Sequence, residues 1–284
     1  MSNLLSGLSK LGLGNLENTS IYEEPKDEKK DGKQEKEVVK VQEKDLIFDR
    51  SFECPVCSAK VTSKVMKSGK AKLLRTDKDL RPVYEGIDAQ KYDVVVCPHC
   101  GFSAITRYFV PMTAGQVKLI KENISSKVRL TPHTGESYTY EQAFERYQLA
   151  LASAVVRQAK SSEKAYCCLK SAWLLRGWQE ELAAAEGDNK EKIAELKEAE
   201  KEYLQNAMEG FSTAKASENF PVCGMDENTV DYLLAVLSFW AGKYDVASRL
   251  IAALLTTPTA NARVKDKARD LKDEIVAELK KAKG

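Results

Sequence analysis

The chain has 284 residues, 43% of them hydrophobic, with 44 Lys and Arg set against 42 Asp and Glu for a net charge of +2. That length can hold two domains and that composition a real core, while so even a charge balance excludes both a wholesale nucleic-acid binder and a solvating acidic tail. Seven cysteines, an odd count with four in metal spacing, suit a reducing compartment rather than a secreted disulfide framework; with no leader-like start and no apolar run of bilayer length, the expectation is a soluble, cytoplasmic protein with no membrane partner.

In chain order, Leu4, Leu8 and Leu11 recur at helical spacing, but Gly7, Gly12 and Gly14 weaken any free helix there. From Glu23 to Lys44 the sequence is rich in Glu, Lys, Asp and Gln and nearly free of apolar residues, so burial cannot offset its ordering entropy. Residues 1–45 therefore read as a disordered tail and charged linker. Order begins near Leu46-Ile47-Phe48. Val61–Met66 and Ala71–Leu74 read as short strands, Val83–Gly86 as a turn, Tyr92–Val96 as a strand and Ala104–Val110 as the segment leaving it. A small, mostly β module over 46–112 is expected.

Inside that module stand Cys54-Pro55-Val56-Cys57 and, forty residues on, Cys97-Pro98-His99-Cys100-Gly101. In such a turn proline presets φ, the two sulfurs point to one side, and glycine takes the positive φ that closes it. Two such knuckles complete a tetrahedral four-cysteine zinc site of the ribbon type, with Cys54, Cys57, Cys97 and Cys100 as ligands. Four thiolates leave no open position for water, so one structural zinc is expected rather than a catalytic one. A competing reading makes Cys97 and Cys100 a thiol-disulfide pair after the apolar run Tyr92–Val96, with Cys97 as a low-pKa attacking thiol. The matching first pair and Gly101 weigh for the metal, and His99 reads as an exposed residue at the knuckle tip.

Between the two pairs lies the one clear charge asymmetry. Lys60, Lys64, Lys67, Lys70, Lys72 and Arg75 follow one another with no acidic residue among them. Such a stretch is either a solvated hairpin face or a phosphate contact that would let the module touch nucleic acid through charge.

From Thr113 the apolar period becomes helical. Residues 113–139 read as a connecting helix, Ala114–Asn123, and a loop that contains His133. Residues 140–284 read as an all-α domain. Tyr140–Lys160 is amphipathic; Ser161 or Ser162 is the expected cap of a helix carrying Cys167, Cys168, Trp173 and Trp178; and Lys190–Lys215 is long and charged. Asp226 is the natural N-cap of Glu227–Ala241, which forms a helical hairpin with Tyr244–Thr256 around Gly242, before a last helix over Ala260–Lys281. Ala247 and Pro258 fall where a tetratricopeptide repeat places its small packing residue and its terminating proline, while Ile251 and Leu254 depart from that repeat. Stacked hairpins leave a groove that commonly docks a peptide or protein.

Taken together, Cys54-Pro55-Val56-Cys57, the Tyr84-x-Gly86-Ile87 turn, the run from Tyr92 through Phe102, Ala172-Trp173-Leu174 and Cys223-Gly224-Met225-Asp226 resemble a bacterial family catalogued as domain of unknown function 2225. The resemblance covers roughly 46–280, with Ser58 standing where a glycine is expected after the first pair. It implies a zinc-ribbon-like start and a tetratricopeptide-like helical end, and no activity. The resulting expectation is an α+β protein, a β zinc-ribbon-like module followed by an all-α array of helical hairpins, acting as a non-enzymatic scaffold. No Ser/His/Asp set, phosphate-binding loop or His-Glu-x-x-His motif supports an enzyme.

Overall fold

The computed structural model describes residues 42–281, apart from Thr131, Pro132 and Thr134. The tail and linker expected over 1–45 fall outside those residues, except that Glu43–Leu46 forms a short 3-10 turn that buries Leu46. The described residues belong to one compact unit. Its architecture is α+β: small two-stranded sheets come first and a run of α-helices follows.

Six strands pair only with their chain neighbours. Strand β1 (Ile47–Glu53) pairs antiparallel with β2 (Lys60–Met66), β3 (Leu73–Thr76) with β4 (Pro82–Tyr84), and β5 (Val94–Val96) with β6 (Ser103–Ile105). In β2, Val61, Ser63 and Val65 alternate inward against exposed Lys60 and Thr62, the period-2 pattern that marks one buried face. The segment expected as a turn from Val83 is strand through Tyr84 before it turns. The segment expected to run extended from Ala104 stops at Ile105, where Thr106–Tyr108 winds into a 3-10 turn as Thr106 donates its N–H and its hydroxyl to the Asp93 carbonyl.

Helix α1 (Ala114–Ile120) and helix α2 (Tyr140–Val156) each begin with a reciprocal capping box, Thr113 with Gln116 and Thr139 with Gln142. The other helices are α3 (Ser161–Ala184), α4 (Lys190–Ser217), α5 (Glu227–Trp240), α6 (Tyr244–Thr256) and α7 (Ala262–Lys281). Neither Ser161 nor Ser162 caps α3. Lys160 takes the cap position without a side-chain bond, and the Glu218 carboxylate, arriving from the end of α4, accepts from the N–H and the hydroxyl of Ser162. A carboxylate there satisfies a free N–H at the positive end of the helix dipole. Asp226 does cap α5, accepting from the Thr229 N–H at 2.8 Å.

Successive helices pack as neighbours, α2 on α3, α3 on α4, α4 on α5, α5 on α6 and α6 on α7, in a tetratricopeptide-like array. Leu169, Trp173, Phe211, Leu233 and Leu237 fill the α3–α4–α5 core, and Ala235, Ala247, Ile251, Leu254 and Leu271 fill the α5–α6–α7 core. Close approach of α3 and α4 needs Gly210, whose missing side chain leaves room for Ala165 across the contact. Cys167 and Cys168 are core residues of α3, and burial pushes the Cys168 thiol up to about 11.

The hairpins join the helices through polar links. The β3–β4 loop inserts Asp79, which is fully buried, against α3: it accepts from Trp173 Nε1 at 2.9 Å and from both Arg176 terminal nitrogens at 3.1 and 2.8 Å. Arg176 also donates Nε to Glu200 at 2.7 Å. Beside Asp79, Leu80 adopts a positive φ of 72° and packs against both helical cores. On α2, Arg146 donates to Ser63 Oγ at 2.8 Å and to the Val94 carbonyl at 2.6 Å, tying two hairpins to one helix.

Candidate metal centre

Each cysteine pair forms the tip of a hairpin. Glu53 faces Lys60 across β1–β2, and Val96 faces Ser103 across β5–β6, so each knuckle occupies a loop of the same length. The two loops share their backbone bonds. Cys54 donates to the Ala59 carbonyl and accepts from the Ser58 N–H, just as Cys97 donates to the Phe102 carbonyl and accepts from the Gly101 N–H. Gly101 has φ +73° and Ser58 has φ +59°, so the first knuckle keeps the left-handed closing residue without the glycine. That placement of a side-chain-bearing residue costs about 1–2 kcal/mol, which the first loop sustains within the folded unit.

The loops bring four sulfurs together. Cys54 Sγ lies 3.6 Å from Cys100 Sγ and Cys57 Sγ 3.6 Å from Cys97 Sγ, and all four lie within 4.8 Å of one another. A tetrahedral zinc with Zn–S bonds of ~2.3 Å sets its sulfurs ~3.8 Å apart. The donor set therefore fits such an ion, and the cluster is capable of coordinating a metal. Cys54, Cys97 and Cys100 are buried and Cys57 is exposed. The amides of Val56 and Cys57 point at Cys54 Sγ, those of Cys100 and His99 at Cys97 Sγ and that of Phe102 at Cys100 Sγ, so backbone dipoles stabilise negative charge on sulfurs of both pairs. The contact with Cys100 Sγ draws the Cys54 thiol down to about 5, while burial pushes Cys97 up to about 11. His99 is exposed and stands outside the sulfur cluster.

Behind the sulfurs, Val56, Val61, Val95, Phe102, Ala104, Phe109 and Ile120 close a small apolar core that leans on α1. Val128 packs where a side chain at Gly101 would sit, so this glycine is required by contact as well as by φ.

The basic stretch divides on folding. Lys64 pairs with Asp49 at 3.3 Å, Lys67 donates to the Asp45 carbonyl at 2.8 Å, and Arg75 pairs with Asp77 at 3.0 Å and Glu180 at 3.4 Å. Lys60, Lys70 and Lys72 are exposed. The Asp79–Trp173–Arg176 lock was not legible in the sequence, although Trp173 and Arg176 already shared one face of a helix at i,i+3 spacing. Cys223 sits in the turn before α5 with φ +54°, its thiol 3.2 Å from the Ser162 carbonyl.

The helical array carries a cleft of about 820 Å³ over α4 and α5. Leu204, Met208, Leu237 and Trp240 line it, together with exposed Lys197, Lys201 and Lys243 and the ion-paired carboxylates of Asp77 and Glu200. Trp240 is 40% exposed, with the Arg176 guanidinium 5.1 Å from its ring centre. Among the described residues no helix is long and apolar enough to cross a membrane.

No curated protein and no solved structure matches the chain. The model of a family described as "Uncharacterized protein conserved in bacteria (DUF2225)" matches residues 47–275, which carry both knuckles and most of the helical array, and the chain belongs to that family.

Proposed function

We propose that the chain is a non-enzymatic cytoplasmic scaffold in which one structural zinc, held by Cys54, Cys57, Cys97 and Cys100, fixes the hairpins while the helical array docks a protein segment. The observation that carries the docking is Trp240: a large aromatic left 40% exposed in a cleft lined by Leu204, Met208 and Leu237. Exposed aromatics in apolar depressions are the residues that dominate protein interfaces. Lys197, Lys201 and Lys243, exposed along the cleft, favour a segment with acidic residues around an apolar anchor. Zinc, when bound, supplies a crosslink between two hairpins and no open coordination position. A thiol-disulfide role for Cys97 and Cys100 draws little support, because Cys97 is fully buried and its sulfur stands among three others in one cluster.

The test is affinity capture from a bacterial lysate with the full chain, paired with metal analysis. About one zinc per chain is expected, with a captured protein lost on Trp240→Ala or Lys201→Glu and retained on Lys64→Glu. Capture indifferent to Trp240→Ala would remove the docking site, and metal-free protein with four titratable knuckle thiols would remove the zinc. Lys60, Lys70 and Lys72, exposed and without an ion-pair partner among the described residues, favour a second reading in which the hairpins contact nucleic acid. Retention on RNA at low salt, falling steeply as salt rises, would carry it.

A further inference from the structure

Five cationic side chains are buried among the described residues, and four of them meet a carboxylate: Arg81 meets Glu180, Lys91 meets Glu43, Arg157 meets Glu163 and Lys170 meets Asp93. Arg146 is the exception. It is 6% exposed, its hydrogen bonds go to the neutral Ser63 hydroxyl and Val94 carbonyl, and its Nε has no partner. The Tyr138 ring lies 4.3 Å from the guanidinium carbon, which shields the cation without neutralising it. Burial accordingly draws this guanidinium below the usual arginine range. A buried charge is ordinarily paired, since removing it from water costs more than neutral hydrogen bonds return.

Arg146 lines a cleft of about 710 Å³ between α2, the second knuckle and the loop after α1, a volume within the range of small-molecule sites. Two further cationic or titratable side chains, Arg129 and His133, line the same cleft, and Glu145 is its one carboxylate among the described residues. Glu145 is exposed and forms no ion pair with Arg146. The remaining wall is largely aliphatic, from Val96, Val128, Leu130 and Leu149.

We infer that this cleft binds a small aliphatic carboxylate, which supplies Arg146 with its missing counter-charge and lays its carbon chain along Val96, Val128 and Leu149. One unpaired buried cation calls for a monoanion, since a dianion would leave a net charge in the same low-dielectric place. The aliphatic wall distinguishes a carbon-chain acid from an inorganic anion, whose remaining oxygens would lose water against it. Because the cleft backs onto Val96 and Pro98, an occupant also buttresses the second knuckle.

The test uses the full chain, purified without chelator, and hexanoate as the probe in a thermal melt. Hexanoate is expected to raise Tm saturably, by about 5 °C at a hundred-fold excess over its Kd, while 1-hexanol and inorganic phosphate at the same concentrations leave Tm unchanged. Arg146→Gln should abolish the response. Should that variant fail to fold, Ala152→Trp, at an exposed position on the lining, blocks the cleft without touching Arg146 and should abolish it too. No shift with hexanoate, an equal shift with hexanol, a shift with phosphate alone, or a hexanoate shift that survives Ala152→Trp would each overturn the inference.

Discussion

Between Ile47 and Ile105 no strand exceeds seven residues and every sheet has two strands, whereas from Tyr140 to Lys281 every helix has at least 13 residues. An isolated two-stranded hairpin is marginal in water, because it orders its backbone while burying little apolar surface. A helix of three or more turns with an apolar face on each neighbour offsets that entropy by packing. The hairpin region therefore rests on three additions, the sulfur cluster that joins β1–β2 to β5–β6, the small apolar cores that the hairpins share with α1 and α2, and the polar side chains reaching across from α2 and α3. Cohesion in one region is concentrated at a few residues. In the other it is spread over dozens, so the same number of substitutions should have unequal consequences.

The largest effect expected separates the two regions outright. Structural zinc contributes roughly 10–16 kcal/mol in small zinc peptides, so Cys97→Ser, or a strong chelator, should expose the amides of 47–105 to hydrogen exchange while those of α5, α6 and α7 stay protected. Uniform loss of protection across both regions would show that the array depends on the sulfur cluster as much as the hairpins do.

Next comes the lock between the regions. Arg176→Met leaves Asp79 fully buried with Trp173 as its remaining donor, and breaking a buried ion pair on one side costs about 3–5 kcal/mol. A lowered denaturant midpoint with loss of the β3–β4 loop's protection is the expected result. A cost under about 1 kcal/mol would mean that the Trp173 bond, the Arg81–Glu180 pair and the packing of Leu80 hold the loop without Arg176.

Within the array, Gly210→Ala places a methyl against Ala165 at the α3–α4 contact. It should destabilise by about 1–3 kcal/mol through overpacking, despite alanine's better helix propensity. A gain in Tm would show that the two helices separate freely. The smallest effect belongs to the first knuckle: Ser58→Gly relieves a positive φ of 59° and should stabilise by about 0.5–1 kcal/mol, once the extra entropy of an unfolded glycine is subtracted from the relieved strain. Urea midpoints of zinc-loaded protein would read it, and a loss of stability would reveal that the Ser58 side chain has a role of its own.

The sequence by itself determined the features whose cause lies within a few residues. The spacing of each cysteine pair, with a closing residue after it, builds a knuckle wherever it sits. The 3.6-residue period drew the helices to within a few residues of their ends, and Asp226 capped α5 because a short acidic side chain reaches the N–H three residues on. Gly242, with φ +72°, turns α5 into α6 for the same local reason.

Only the tertiary structure decided which surfaces meet. Periodicity records that a face is apolar and leaves its partner unnamed. Nothing near Arg176 pointed to Asp79, 97 residues earlier, and nothing near Ser162 pointed to Glu218, 56 residues later. The basic run from Lys60 to Arg75 read as one charged surface until folding set Asp49 against Lys64 and Glu180 against Arg75. Nothing in the amphipathic stretch from Tyr140 set Arg146 apart. Its burial without a carboxylate is a property of three elements packed together, since a charge is costly only where the surrounding chain has removed its water.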